Sequence, residues 1–158
     1  MGSAFMHGWV SLPAYGEVYL EHGLPRRVWV RDWANADVEG LAEQIADLTD
    51  LHVTLGTWAA DEEAQGVEAE VHVNASDIDR VLYRLARMSA ETFVDRYQKP
   101  IDADDVDYDD EAYAQDMGSA LGLCGLHWGE IDEGGLRDRY RLVLHQASEE
   151  FARQFEQH

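Results

Sequence analysis

The spacing of apolar and polar residues changes several times along the 158-residue chain. In the first third, aromatic and β-branched residues stand between turn formers at Trp9–Leu12, Glu17–Leu20 and Arg26–Arg31. The last follows a His22-Gly23-Leu24-Pro25 turn, so three short strands are expected. After Asn35, apolar residues Val38, Leu41, Ala42, Ile45 and Leu48 recur at helical spacing. Asp37 and Glu39 lie where a helix N-terminus favours negative charge, which predicts a helix over 36–49. Leu51–Trp58 and Val67–Val73 return to strand-like composition around an acidic connection, Asp61 to Gly66, and predict a hairpin.

Further on, Ile78, Val81, Leu82 and Leu85 form one face of a helix that Asn74 or Ser76 could cap, with Arg80, Arg84 and Arg87 expected away from that face. Pro100 ends this pattern. An acidic run then leads into a shorter helix carrying Tyr113, Met117, Ala120 and Leu121 on one side, and glycines at 118, 122, 125 and 129 are expected to weaken it. Gly134 and Gly135 open a last helix, 134–156, whose Leu136, Tyr140, Val143, Ala147, Phe151 and Phe155 form either a core face or a dimer seam. Residues 1–5 read as an expression scar, with Met6 as the native start. No repeat or flexible linker is visible over 6–158. The expected fold is a single α+β domain, a small antiparallel or mixed sheet with helices against it, containing an acidic segment at 101–133.

Composition adds a core and removes several classes. With 46% hydrophobic residues, five Trp and seven Tyr, the chain can fill an interior, so it is not an acidic disordered tail. The single cysteine, Cys124, excludes an internal disulfide framework and favours a reducing, cytoplasmic setting. No apolar stretch approaches the roughly 18 residues that span a bilayer, and the first residues lack the pattern of a secretory signal.

Charge changes the picture most. The formal net charge is −20, and 101–133 alone holds eleven acids and no lysine or arginine, seven of them between Asp102 and Glu111. The last 25 residues are neutral, with four acids and four arginines. Salt adaptation would spread acids over every exposed face, whereas these are local. Nucleic acid and anionic membranes both require clustered Lys or Arg, so direct binding to either is not expected.

Three readings compete for the acidic run. As a calcium loop it has alternating Asp105, Asp107, Asp109 and Glu111, but Asp110 stands where that loop requires glycine and Asp116 where it requires a bidentate glutamate. As a two-metal hydrolase it lacks carboxylates arriving from separate elements. His7, His22, His52, His72 and His127 show no short ligand spacing, and the Cys124-x-x-His127 pair has no second pair to complete a zinc site. No G-x-S-x-G elbow, P-loop or dinucleotide fingerprint occurs, so neither catalytic residues nor a cofactor is expected.

The third reading is an imitation of phosphates. In an extended segment alternate carboxylates would lie about 6.7 Å apart, sparser than the charges of duplex DNA, so further rows would have to come from Asp61, Glu62, Glu63, Glu68 and Glu70 or from Glu130, Asp132 and Glu133. The expected partner-binding residues are Asp102, Asp104, Asp105, Asp107, Asp109, Asp110, Glu111 and Asp116, the hairpin acids Asp61, Glu62 and Glu63, and Tyr108 and Tyr113, since Tyr is favoured in interfaces. The partner would be a protein with a basic or DNA-binding surface.

The stretches Phe93-Val94-Asp95-Arg96-Tyr97-Gln98 and Asp107-Tyr108-Asp109-Asp110-Glu111-Ala112-Tyr113-Ala114-Gln115-Asp116-Met117 resemble segments of the ArdA-type antirestriction proteins. Those are elongated acidic DNA mimics, encoded on mobile elements, that occupy the DNA groove of type I restriction-modification enzymes. The opening strands differ from that family's start, and the neutral last helix lacks its acidic ending. The resemblance implies that Asp102 to Asp116 supply phosphate-like charge and that no residue is catalytic. The alternative is an immunity protein or phage host-takeover protein for one basic partner, with a metal-binding or hydrolytic enzyme the third reading. A homodimer would present the acidic patch twice.

Overall fold

The computed structural model describes every residue except 1–6, 33–34, 57–65, 103, 132 and 157–158, and at 133, 155 and 156 the backbone alone. The chain is α+β, as the sequence predicts, and its described residues form five strands in one antiparallel sheet and four α-helices. Its contacts separate into two compact units, Met1–Asp77 with Leu123–Gly125, and Ile78–Gly122 with Leu126–His158.

The first unit is built on strands β1 (Gly8–Leu12), β2 (Gly16–Glu21), β3 (Leu24–Arg31), β4 (Val53–Gly56) and β5 (Gly66–Val73), ordered β1-β2-β3-β5-β4. Period-two alternation turns Val18, Leu20, Val28, Val30, Ala69 and Val71 inward, as expected of a half-solvated antiparallel sheet. The β2–β3 loop is two residues long, and His22 and Gly23 both have positive φ, 49° and 77°. That is the turn whose twist matches its flanking strands. At Gly16 a Cβ would lie 1.9 Å from the Trp29 carbonyl oxygen, so only glycine lets β2 and β3 close there. Helix α1 (Val38–Thr49) starts where predicted, with the Asp37 carboxylate accepting from the Gly40 N–H at 3.0 Å. It buries Leu41 and Ile45. The predicted β4–β5 hairpin is present, with Val53 opposite Val73.

The second unit contains α2 (Ile78–Tyr97), α3 (Val106–Cys124) as far as Gly122, and α4 (Glu133–Glu156). The periodic face of α4 packs on α2 through Leu136, Tyr140, Leu144, Ala147 and Phe151, all buried, so that face belongs to a core within one chain. Leu144 is fully buried, whereas Val143, which the periodicity placed on this face, is half-buried.

Two expectations are corrected. Arg84 and Arg87 do not lie away from the apolar face of α2; both are buried. Long stems let guanidinium groups cover apolar surface while their heads reach partners: Arg87 lies 5.1 Å over the Phe151 ring and 3.1 Å from a Glu150 carboxylate oxygen. Burial opposes the charge on Arg87, but the hydrogen bond and charge of Glu150 leave its pKa raised. In addition, α3 is not a short helix following an extended acidic run. It begins at Val106, inside that run, and continues through Gly118 and Gly122. Each interior glycine costs about 1 kcal/mol against alanine, offset by burial of Met117, Ala120 and Leu121 on the opposite face.

Candidate functional site

Helical geometry divides the acidic run in two. At 3.6 residues per turn, positions 109, 112, 113, 116, 117 and 120 share one face; these are Asp109, Ala112, Tyr113, Asp116, Met117 and Ala120, all buried. Asp107, Asp110 and Glu111 lie on the other side, exposed. Asp109, Asp116 and Tyr113, expected on a contact surface, are therefore interior groups.

Each buried carboxylate meets polar groups from another helix. The two oxygens of Asp109 lie 2.8 and 3.0 Å from His145 Nε2, and Oδ2 is 3.2 Å from Arg141 Nε. Asp110, one residue on, receives Arg137 Nη2 at 2.8 Å. Arg137, Arg141 and His145 are spaced i, i+4, i+8, which places them along one stripe of α4. Arg137 also lies 5.1 Å over the Tyr113 ring, which meets Tyr140 edge-on. Farther along α3, Asp116 Oδ2 accepts two hydroxyl hydrogen bonds, from Ser89 Oγ and Tyr140 Oη, each 2.6 Å. Burial raises the carboxyl pKa of Asp116 despite those donors. Burial, then the Asp116 charge, likewise holds the Tyr140 hydroxyl well above its ordinary value. Tyr108 donates to the Ser89 carbonyl at 2.6 Å, and burial ahead of the Asp116 charge pushes its pKa up to about 12. Tyr108 is therefore half-buried and anchored, not a free contact residue.

The segment before α3 is self-capped. Asp105 Oδ2 accepts from the Asp102 N–H at 3.0 Å, and Asp102 Oδ1 accepts from the Asp104 N–H at 2.8 Å. The Asp102 N–H, ahead of Lys99, holds the Asp105 carboxyl below its ordinary pKa. Lys99 Nζ lies 3.9 Å from Asp102 and 3.7 Å from Asp105. Among the described residues, Asp104, Asp107 and Glu111 make no ion pair. With half-exposed Asp102 and Asp110 they form the accessible carboxylates of the run. Asp107 and Glu111 are one helical turn apart, about 6 Å along the axis.

Asp61, Glu62 and Glu63 lie outside the described residues. Glu68 is held by Arg27 at 2.6 Å, and Glu70 lies 3.4 Å from His72. The calcium-loop reading does not survive the helix, because alternate residues there point about 200° apart. Among the described residues no three His, Cys, Asp or Glu side chains group closely enough to hold a metal ion. Cys124 is a buried free thiol, pushed up to about 11 by burial and then by the Asp77 charge, whereas His127 is exposed. Among the described residues no helix is long and apolar enough to cross a membrane.

Comparison with protein-family models, curated proteins and solved structures gives no match. The site is thus defined by its own chemistry. The partners of its carboxylates on α4, Arg137, Arg141 and His145, are ones that reading the acidic run by itself passes over. Their four-residue spacing was the available signal, a stripe of two arginines and a histidine whose carboxylate partners had to lie on another element.

Proposed function

We propose that the protein is a non-enzymatic acidic inhibitor that offers carboxylates, in place of DNA phosphates, to a DNA-binding or nuclease partner, in the manner of antirestriction proteins. The carrying observation is the division of the acidic run: Asp109 is engaged by α4, while Asp102, Asp104, Asp107, Asp110 and Glu111 stay accessible. Asp107, Asp110 and Glu111 stand on a helix and are pre-ordered, so a basic groove meets them without first ordering a loop. A cytoplasmic site of action belongs to the same proposal and agrees with the free thiol of Cys124.

The test is affinity capture from bacterial lysate on immobilised protein, eluted first with duplex DNA and then with high salt. A captured DNA-binding protein that duplex DNA displaces, and that is lost with Asp104→Asn, Asp107→Asn and Glu111→Gln combined, supports mimicry. A partner that DNA cannot displace replaces it with the immunity or host-takeover reading. Asp109 is left unchanged in that variant, because altering it would perturb the fold.

A further inference from the structure

A cleft within the helical unit, bounded by α2 and α3, sets a buried carboxylate beside Glu111, one member of the exposed row. Its volume is about 330 Å³, and its lining includes Met88, Ser89, Ala112, Gln115 and Asp116, together with Glu111 of the exposed row. Asp116 keeps only 5% of its surface accessible. Its Oδ2 is satisfied by two hydroxyl donors, while Oδ1 receives no hydrogen bond from the described residues and yet is not sealed from solvent. A half-satisfied carboxylate in a concave, partly apolar cleft calls for a cationic, hydrogen-bonding ligand.

We infer that this cleft binds an aliphatic primary ammonium group, with Asp116 Oδ1 as its counter-charge and Met88 and Ala112 against its carbon chain. At Asp116, as distinct from Glu111, guanidinium fits less well, because its fork pairs with both oxygens of a carboxylate and Oδ2 already accepts two bonds. An ammonium is a compact charge that needs one free oxygen and can turn its remaining donors to Gln115, Thr92 or water. Among the described residues no three potential metal ligands cluster, which directs the site to an organic cation. Burial disfavours the charge on Asp116, a cost that a bound cation offsets. The ammonium could be carried by a lysine of a protein partner or by a free alkylamine; the chemistry is shared.

The test is an NMR titration of the full chain, following backbone amides, with 1,5-diaminopentane and Nα-acetyl-lysine amide and with n-butylguanidinium as the control. Saturable shifts are expected at Met88, Ser89, Thr92, Ala112 and Gln115. Asp116→Asn should weaken binding at least about tenfold, as loss of a charged hydrogen-bond partner does. Gln115 is exposed, so Gln115→Lys should keep the fold and block the cleft with its own ammonium, and it decides the matter if Asp116→Asn unfolds. Shifts that never saturate, spread over 102–111 and persist in both variants would overturn the assignment, as would no shifts or equal binding of butylguanidinium. The exposed row is intact in Asp116→Asn, so the proposed function is tested separately. DNA-displaceable capture surviving in that variant, with amine binding lost, assigns the cleft to a free amine, and loss of both assigns it to a partner's lysine.

Discussion

Two aspartates two residues apart on α3 illustrate how position overrides residue type. Asp107 is exposed and makes no ion pair among the described residues, so Asp107→Asn should change stability by less than about 0.5 kcal/mol. Asp109 is buried against Arg141 and His145. Asp109→Asn should cost about 1–3 kcal/mol, since it leaves the Arg141 guanidinium and the part-buried His145 ring without their carboxylate partner. Urea unfolding at constant m-value distinguishes them, and equal midpoints would remove the structural role of Asp109. Asp116 behaves oppositely with pH. Its folded-state pKa is raised, so the native state holds that proton more tightly than the unfolded chain. Its stabilising contribution is full below the unfolded value of about 3.9 and is lost as pH rises through the higher native value. Asp116→Asn should therefore gain stability relative to the parent between pH 4 and pH 7, and parallel midpoint curves would contradict this.

At the scale of elements, α3 and α4 are joined by a charged stripe that each helix carries half of. A double-mutant cycle of Asp109→Asn with Arg141→Ala should give a coupling energy of about 0.5–3 kcal/mol, reduced at high salt because Arg141 is half-exposed. Zero coupling would leave the stripe decorative. The helix also tolerates two glycines that do nothing sterically: a Cβ at Gly118 or Gly122 would meet no atom within 4 Å, and neither has positive φ. Gly118→Ala and Gly122→Ala should each stabilise by about 0.5–1 kcal/mol in thermal unfolding. A loss of stability at either position would indicate that α3 must bend there.

For the whole molecule, a net charge of −20 predicts association with a basic partner that is fast at low salt and slows steeply as salt rises. Stopped-flow association between 50 and 300 mM salt should show the on-rate falling while the off-rate changes less; a salt-independent on-rate would place recognition on the apolar surface. Replacing Asp104, Asp107 and Glu111 should flatten the dependence, because those charges are both exposed and unpaired within the described residues.

Period and turn chemistry were legible without coordinates. Alternating Val18, Leu20, Val28 and Val30 could only make half-buried strands, His22-Gly23 a tight turn, and the i, i+3, i+4 face of Leu136, Tyr140 and Ala147 a packed helix, because these patterns are local consequences of backbone geometry. The acidic composition of 101–133 likewise came directly from the chain. What a carboxylate does there did not, because exposure and neutralisation depend on residues distant in sequence: Arg137, Arg141 and His145 for Asp109 and Asp110, Ser89 and Tyr140 for Asp116. A run read as a row of equal charges became, in three dimensions, an accessible set and a buried set, since one helix cannot turn every side to solvent. Sequence by itself determined the strands, α1, α2 and α4 and the sign of the charge; only the tertiary structure decided where α3 begins and which carboxylates remain available, because burial and ion pairing are properties of neighbours in space.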